Sequence, residues 1–162
     1  MSTLWTALRA AAYTAAFLAL WGWLAWWAHL QDARLGLVGP AWIPAAGIGL
    51  MIVGLALALA CVATFVLRGR GTPAPFDAPR VFVASGPYRW VRNPMYIGAF
   101  LALVGYALCG GSFTALGVAF LMLLAAHLFV VFYEEPALEA RFGDSYRAYR
   151  RATRRWIPGP PR

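Results

Sequence analysis

Four apolar runs, parted by short charged or glycine-rich stretches, set the pattern of this chain. Residues 10–30 carry no Asp, Glu, Lys or Arg, and their length meets the roughly 20 residues a helix needs to cross a bilayer core. Residues 42–67 form a second such run, with Pro44 near its start, where a helix tolerates proline. Residues 94–108 form a shorter third run, expected to be tilted or only part-way sunk. Residues 113–133 make a full fourth span. The Cys109-Gly110-Gly111-Ser112 link between the last two leaves room only for a tight helical hairpin. Between Gly69 and Pro79, glycine and proline disfavour regular structure and predict a surface loop. Past Tyr133 the pattern predicts a cytoplasmic helix, with Pro136 acceptable in its first turn. The expected fold is all-α: a polytopic membrane bundle of about four transmembrane helices in a single domain, 1–162.

Composition excludes a soluble domain. The chain is 62% hydrophobic and 12% charged, against roughly 45–50% and about 25% in soluble domains. Every one of its 14 basic residues is arginine, and the net charge is +8. That excess does not point to nucleic acid, because the arginines flank the spans, where anionic lipid headgroups are the natural neighbours. Arg9, the group Arg68–Arg92 and the group Arg141–Arg162 fall on one side of a four-span bundle; Arg34 alone falls on the other. The positive-inside rule then makes both termini cytoplasmic, and a bacterial inner membrane is the expected location. Trp21, Trp23, Trp26, Trp27 and Trp42 gather toward the opposite interface, as indoles prefer. The first run is long enough to span and lacks a cleavage signature, so it reads as a retained helix, not a signal peptide. Cys61 and Cys109 show neither CxxC nor metal-ligand spacing and read as small buried hydrophobes; no metal is implied.

Chemistry concentrates in two places. Arg89 to Gly98 combines Arg89, Arg92, Asn93, Pro94 and Tyr96, with Tyr88 just before. Pro94 opens the third helix and puts Asn93 at its N-cap; Gly98 lets a ligand or a neighbouring helix approach the backbone. The same composition also suits a plain interfacial anchor. Glu134-Glu135 closes the fourth run, and acids there need partners. They pair with Arg89 or Arg92, or they hold a ligand ammonium or ribose diol. His127 lies about two helical turns before Glu134, on the same face; a site role and a hydrogen bond to a neighbouring helix both remain open.

These residues carry a resemblance. Gly86-Pro87-Tyr88-Arg89, Arg92-Asn93-Pro94-Met95-Tyr96-Ile97-Gly98, Glu134-Glu135, Phe142-Gly143, Tyr146, Tyr149 and Trp156-Ile157-Pro158 resemble the integral-membrane isoprenylcysteine carboxyl methyltransferases and phospholipid N-methyltransferases. The likeness runs from about Thr72 to Pro158. It implies an enzyme that uses S-adenosylmethionine at the cytoplasmic face, with Arg92, Asn93, Pro94, Tyr96, Gly98, Glu134 and Glu135 forming or supporting the cofactor pocket. A cofactor bearing carboxylate, ammonium, sulfonium and ribosyl adenine suits arginines, paired acids and tyrosine faces. Membrane lipids and a lipophilic methyl acceptor are the implied partners.

Two departures from the family pattern bear on chemistry. Asn93 stands where many members carry histidine, so no titrating group is available there. Phe132 and Tyr133 stand where members acting on prenylcysteines have an arginine beside the acids. Direct transfer to a carboxylate needs no base; a neutral amine or a thiolate needs a proton sink, for which His127, Tyr88 and a carboxylate are candidates, with Arg92 a further candidate catalytic group. An ion-coupled transporter needs an ionisable residue inside a span; only His29, at a segment end, and His127 are available, and the absence of acids from all four runs argues against it. An assembly protein would use small residues such as Gly47 and Gly54 but leaves the two clusters unexplained. An NADPH-dependent reductase related to the sterol reductases would need a longer bundle.

Overall fold

The computed structural model describes residues 3–37, 44–69 and 81–160, and these are helical apart from connecting turns and the C-terminal stretch 153–160. Trp42 and loop residues 70–79 lie outside the described residues. Helix α1 is Thr3–His29 and α2 the short Asp32–Leu35. Helix α3, Pro44–Thr64, ends in a π-helical turn, Phe65–Gly69. A 3-10 turn at Gly86–Arg89 precedes α4, Pro94–Gly110. Helix α5, Phe113–Phe129, passes through a second π turn, Val130–Glu134, into α6, Glu135–Ala152.

Among the described residues, three helices are long and apolar enough to cross a membrane: Leu4–His29, Pro44–Gly69 and the continuous helix Phe113–Ala152. Helix α4 has 17 residues, which at 1.5 Å per residue is about 25 Å, short of a core about 30 Å thick. The first span begins at Thr3, earlier than the charge-free run beginning at residue 10, because Arg9 is carried within the helix. The fourth does not stop at Tyr133; the backbone stays helical through the acids into α6.

Helix α4 lies between α3 on one side and α5 with α1 on the other. Its contact with α3 is built from glycine. A methyl group placed on Gly54 would strike the Gly98 carbonyl and come within 2.7 Å of the Ala102 nitrogen; one on Gly105 would strike the Gly47 carbonyl. Gly47 and Gly54 on α3 thus face Gly105 and Gly98 on α4, a seam that lets two backbones touch where lipid gives no hydrophobic drive to associate. On the other side the core is mostly alanine: Ala25, Ala99, Ala107, Ala115, Ala119 and Ala126, with Leu103 and Met122. Large apolar side chains such as Ile52, Leu59, Phe120 and Leu124 point outward, as a bilayer solvent requires.

The hairpin between α4 and α5 closes through Gly111, and the Ser112 hydroxyl caps α5 by accepting from the Ala115 amide at 3.0 Å. Buried Asp32 adds a second acceptor there, taking the Thr114 amide at 3.1 Å, while the Thr114 hydroxyl donates to the Ala28 carbonyl at 2.7 Å. Helix α1 is thereby tied to the start of α5 at the end of the bundle away from the acids.

Candidate functional site

At the other end, the turn before α4 meets the π turn leading into α6. Pro94 fixes the first turn of α4, and Asn93 stands at its N-cap position. The Asn93 side chain does not cap the helix: its Nδ2 donates to the Arg155 carbonyl at 3.1 Å, a residue 62 positions later. The Arg92 amide donates to the Arg154 carbonyl at 2.9 Å, and the Gly159 amide to the Trp90 carbonyl at 3.0 Å. Residues 153–160 therefore lie as a strap along the Trp90–Asn93 turn.

The paired acids divide. Glu135 is 6% exposed and is held by two arginines. Arg155 grips it through two nitrogens, Nε to Oε1 at 2.8 Å and Nη2 to Oε2 at 3.0 Å, and Arg92 Nη2 lies 3.2 Å from Oε1. The grip raises the Arg155 pKa above its ordinary value. Glu134 has a lighter attachment: the Tyr96 hydroxyl donates to its Oε2 at 3.2 Å. Arg92 is as buried as its partner, with 9% of the side chain exposed, yet its Nε and Nη1 have no hydrogen-bond partner among the described residues. Buried guanidinium donors left unfilled cost stability.

Aromatic rings enclose this polar core. Tyr96 packs against Trp156 and Phe17, with centroids 6.4 Å from each. The Trp156 indole donates to His127 Nδ1 at 3.0 Å; that lone pair is occupied, and the ring proton sits on Nε2. Phe82 lies edge-on to Tyr146 and Tyr149, and the Tyr149 hydroxyl donates to the Tyr88 carbonyl at 2.6 Å. Tyr88 itself is buried against Phe65 and Cys61. Burial, reinforced by Cys61, pushes its phenol well above the ordinary value, so it stays protonated.

Helix α6 bends at Gly143, whose φ of 53° and ψ of −124° suit glycine and break the helix. Glu139 and Arg150, 11 residues apart, meet at 3.0 Å across the bend; a straight helix would separate them by roughly 16 Å of rise. An open cleft of about 460 Å³ results, lined by apolar Val131, Pro136 and Ala140 and by charged Glu135, Glu139 and Arg150 among others. Of the residues singled out from sequence, Arg92 meets Glu135, Tyr96 meets Glu134 and Asn93 meets the strap that carries Arg155; of these, only Glu135 lines the cleft. Gly98 faces the α3 seam, Tyr88 is packed away from the acids' immediate contacts, and His127 is bonded to the strap. Sequence reasoning gave Arg155 no role beyond topology and assigned Trp156 none of its own; nothing local in the chain signals a partner 20 or 29 positions upstream. Among the described residues no group of His, Cys, Asp and Glu is arranged to hold a metal ion.

An all-helical membrane protein with a buried arginine–glutamate site at one end of its bundle is the class these features define. Residues 42–145 match the family model of phospholipid methyltransferases, which covers more than half of the chain. The chain belongs to that family and is, by that membership, a membrane methyltransferase. It is 39% identical over 64 residues, 39% of its length, to an uncharacterized protein of Haemophilus influenzae that it covers completely. It is 33% identical over 78 residues to the protein-S-isoprenylcysteine O-methyltransferase of Schizosaccharomyces pombe, covering 48% of this chain and 33% of that enzyme. No solved structure matches.

Proposed function

We propose that this protein transfers a methyl group from S-adenosylmethionine to a lipophilic acceptor at the cytoplasmic face of the membrane. The whole chain, 1–162, would act as one unit with both termini cytoplasmic, in a bacterial inner membrane. The observation that carries the reading is Arg92: a buried guanidinium with two unfilled donors beside acids and aromatic rings. Those donors fit the cofactor's carboxylate, since an arginine fork matches a carboxylate in charge and shape. Glu134, attached only through Tyr96, has an oxygen to spare for the ammonium or a ribose hydroxyl. The Tyr96 and Trp156 faces suit the adenine or the sulfonium.

The cofactor, when bound, supplies an activated methyl group on a cationic sulfur. The chain's own task is to orient two reactants and exclude water. The ion-paired strap and the aromatic wall close over the polar core, and a cleft opens beside Glu135. Proton handling separates the acceptors. Tyr88 is held protonated, and the Nδ1 lone pair of His127 is taken by Trp156, so neither is poised to accept a proton there. An isoprenoid or prenylcysteine carboxylate arrives ionised and needs no sink. A phospholipid amine or a hydrophobic thiol would have to pass its proton to Glu134. The test is transfer of isotopic methyl from S-adenosylmethionine, by purified protein, into a host lipid extract, followed by identification of the labelled product. Label in the lipid phase that vanishes with Arg92→Ala is expected; absence of wild-type transfer across carboxylate, amine and thiol lipids would reject the reading.

A further inference from the structure

The charge balance of the buried cluster points past the cofactor's identity to what makes the site accept it. Arg92 and Glu135 alone would be a self-neutralised pair, and a pair with matched charges has little left for an anion. Arg155 changes that sum. It binds both oxygens of Glu135, at 2.8 and 3.0 Å, and leaves Arg92 on the edge of one of them at 3.2 Å. Two guanidinium groups on one carboxylate give the triad a net charge of +1. Arg92 Nε and Nη1 are buried donors without a partner among the described residues, and the neighbouring acid, Glu134, is engaged by the Tyr96 hydroxyl. Arg155 itself is a third exposed along its side chain and sits in the strap whose carbonyl takes the Asn93 side chain, so the same segment fixes the turn that carries Arg92. It lies beyond residues 42–145, the part matched by the family model.

We propose that Arg155 is a positioning and specificity-determining residue: by saturating Glu135, it frees Arg92 to bind a ligand carboxylate and makes the site selective for amino-acid-bearing adenosyl compounds. The inference rests on the adenosyl cofactor reading above. Glu135, on this account, does not touch the ligand; it holds the two arginines.

The test compares two compounds with the same adenosyl thioether but different tails. S-adenosylhomocysteine carries the carboxylate and ammonium; 5′-methylthioadenosine carries neither. Calorimetry on the detergent-solubilised full chain should show the wild type binding the first at least tenfold more tightly. In Arg155→Ala that preference should fall by roughly tenfold or more, the scale of one charge-assisted contact, with affinity for 5′-methylthioadenosine nearly unchanged. Arg155→Lys, which keeps the charge but loses the two-nitrogen grip, should recover part of the preference. Arg151→Ala, an exposed arginine in the last turn of α6, should leave it unaltered. Folding is checked by thermal melting of each variant. A folded Arg155→Ala that keeps the full preference overturns the inference while leaving the cofactor reading intact. A wild type that binds neither compound removes both together.

Discussion

Adjacent residues of the same type do different work here. Glu134 and Glu135 differ by 100° around a helix axis, and that rotation sends one toward Tyr96 and the other toward two arginines. Under the proposed function the lighter hold on Glu134 leaves it to face the ligand, with Tyr96 as its orienting donor. Tyr96→Phe deletes only the hydroxyl. A hydrogen bond to a charged group contributes about 1.5–3 kcal/mol, so binding of S-adenosylhomocysteine should weaken about ten- to hundred-fold, with the ring packing on Trp156 preserved. Affinity equal to wild type would detach Glu134 from the ligand. At the opposite end, Asp32 is a stability residue. Burial pushes its carboxyl up, but hydrogen bonds from Ser112 and Thr114, with His29 3.3 Å away, outweigh this and hold it below the ordinary 3.8. A depressed folded value means a contribution that is present above the unfolded pKa and is lost as pH falls through the folded one. Asp32→Asn should therefore melt lower than wild type at pH 7, by an amount worth about 1–3 kcal/mol, and the gap should shrink below about pH 4. A pH-independent gap would contradict the assignment.

Among the elements, α3 and α4 depend most on small residues. Gly54 and Gly98 sit against each other's backbone, so a single methyl has no flexible neighbour to displace. Gly54→Ala should destabilise the detergent-solubilised protein by about 1–3 kcal/mol, the usual range for overpacking. Gly49→Ala, on the same helix with nothing within 4 Å of the added carbon, should be neutral or stabilising by up to about 1 kcal/mol. Equal effects at the two positions would argue against the seam. The helices were legible in the sequence because a charge-free run of about 20 residues has few folds open to it. The hairpin was legible from Gly110-Gly111. The bend in α6 was not, because Gly143 reads as one more glycine until its φ and ψ are known. Gly98 also kept two readings in sequence, ligand or helix, and only packing places it against α3.

For the whole molecule, the convergence of two distant stretches was the main expectation, and Arg92 and Glu135 do meet. What sequence could not supply was the third member. Arg155 lies in an arginine-rich tail whose charges already had a sufficient explanation in membrane topology, so nothing marked it as part of the site. Its strap also settles Asn93: the side chain hydrogen-bonds the tail's backbone, a task for which an amide suffices and a titrating ring is not needed. The fold thus places a buried arginine–glutamate cluster, with an open cleft beside Glu135, at the end of the bundle where helix gives way to charged surface. Under the proposed function, Arg92 in this cluster holds an adenosyl amino acid. Equilibrium binding of S-adenosylhomocysteine to wild type and to Arg92→Ala, both shown to be folded, tests it most directly. The account predicts saturable one-to-one binding by the wild type and a loss of at least tenfold in the variant; equal affinity in the two proteins, or none in the wild type, would contradict it.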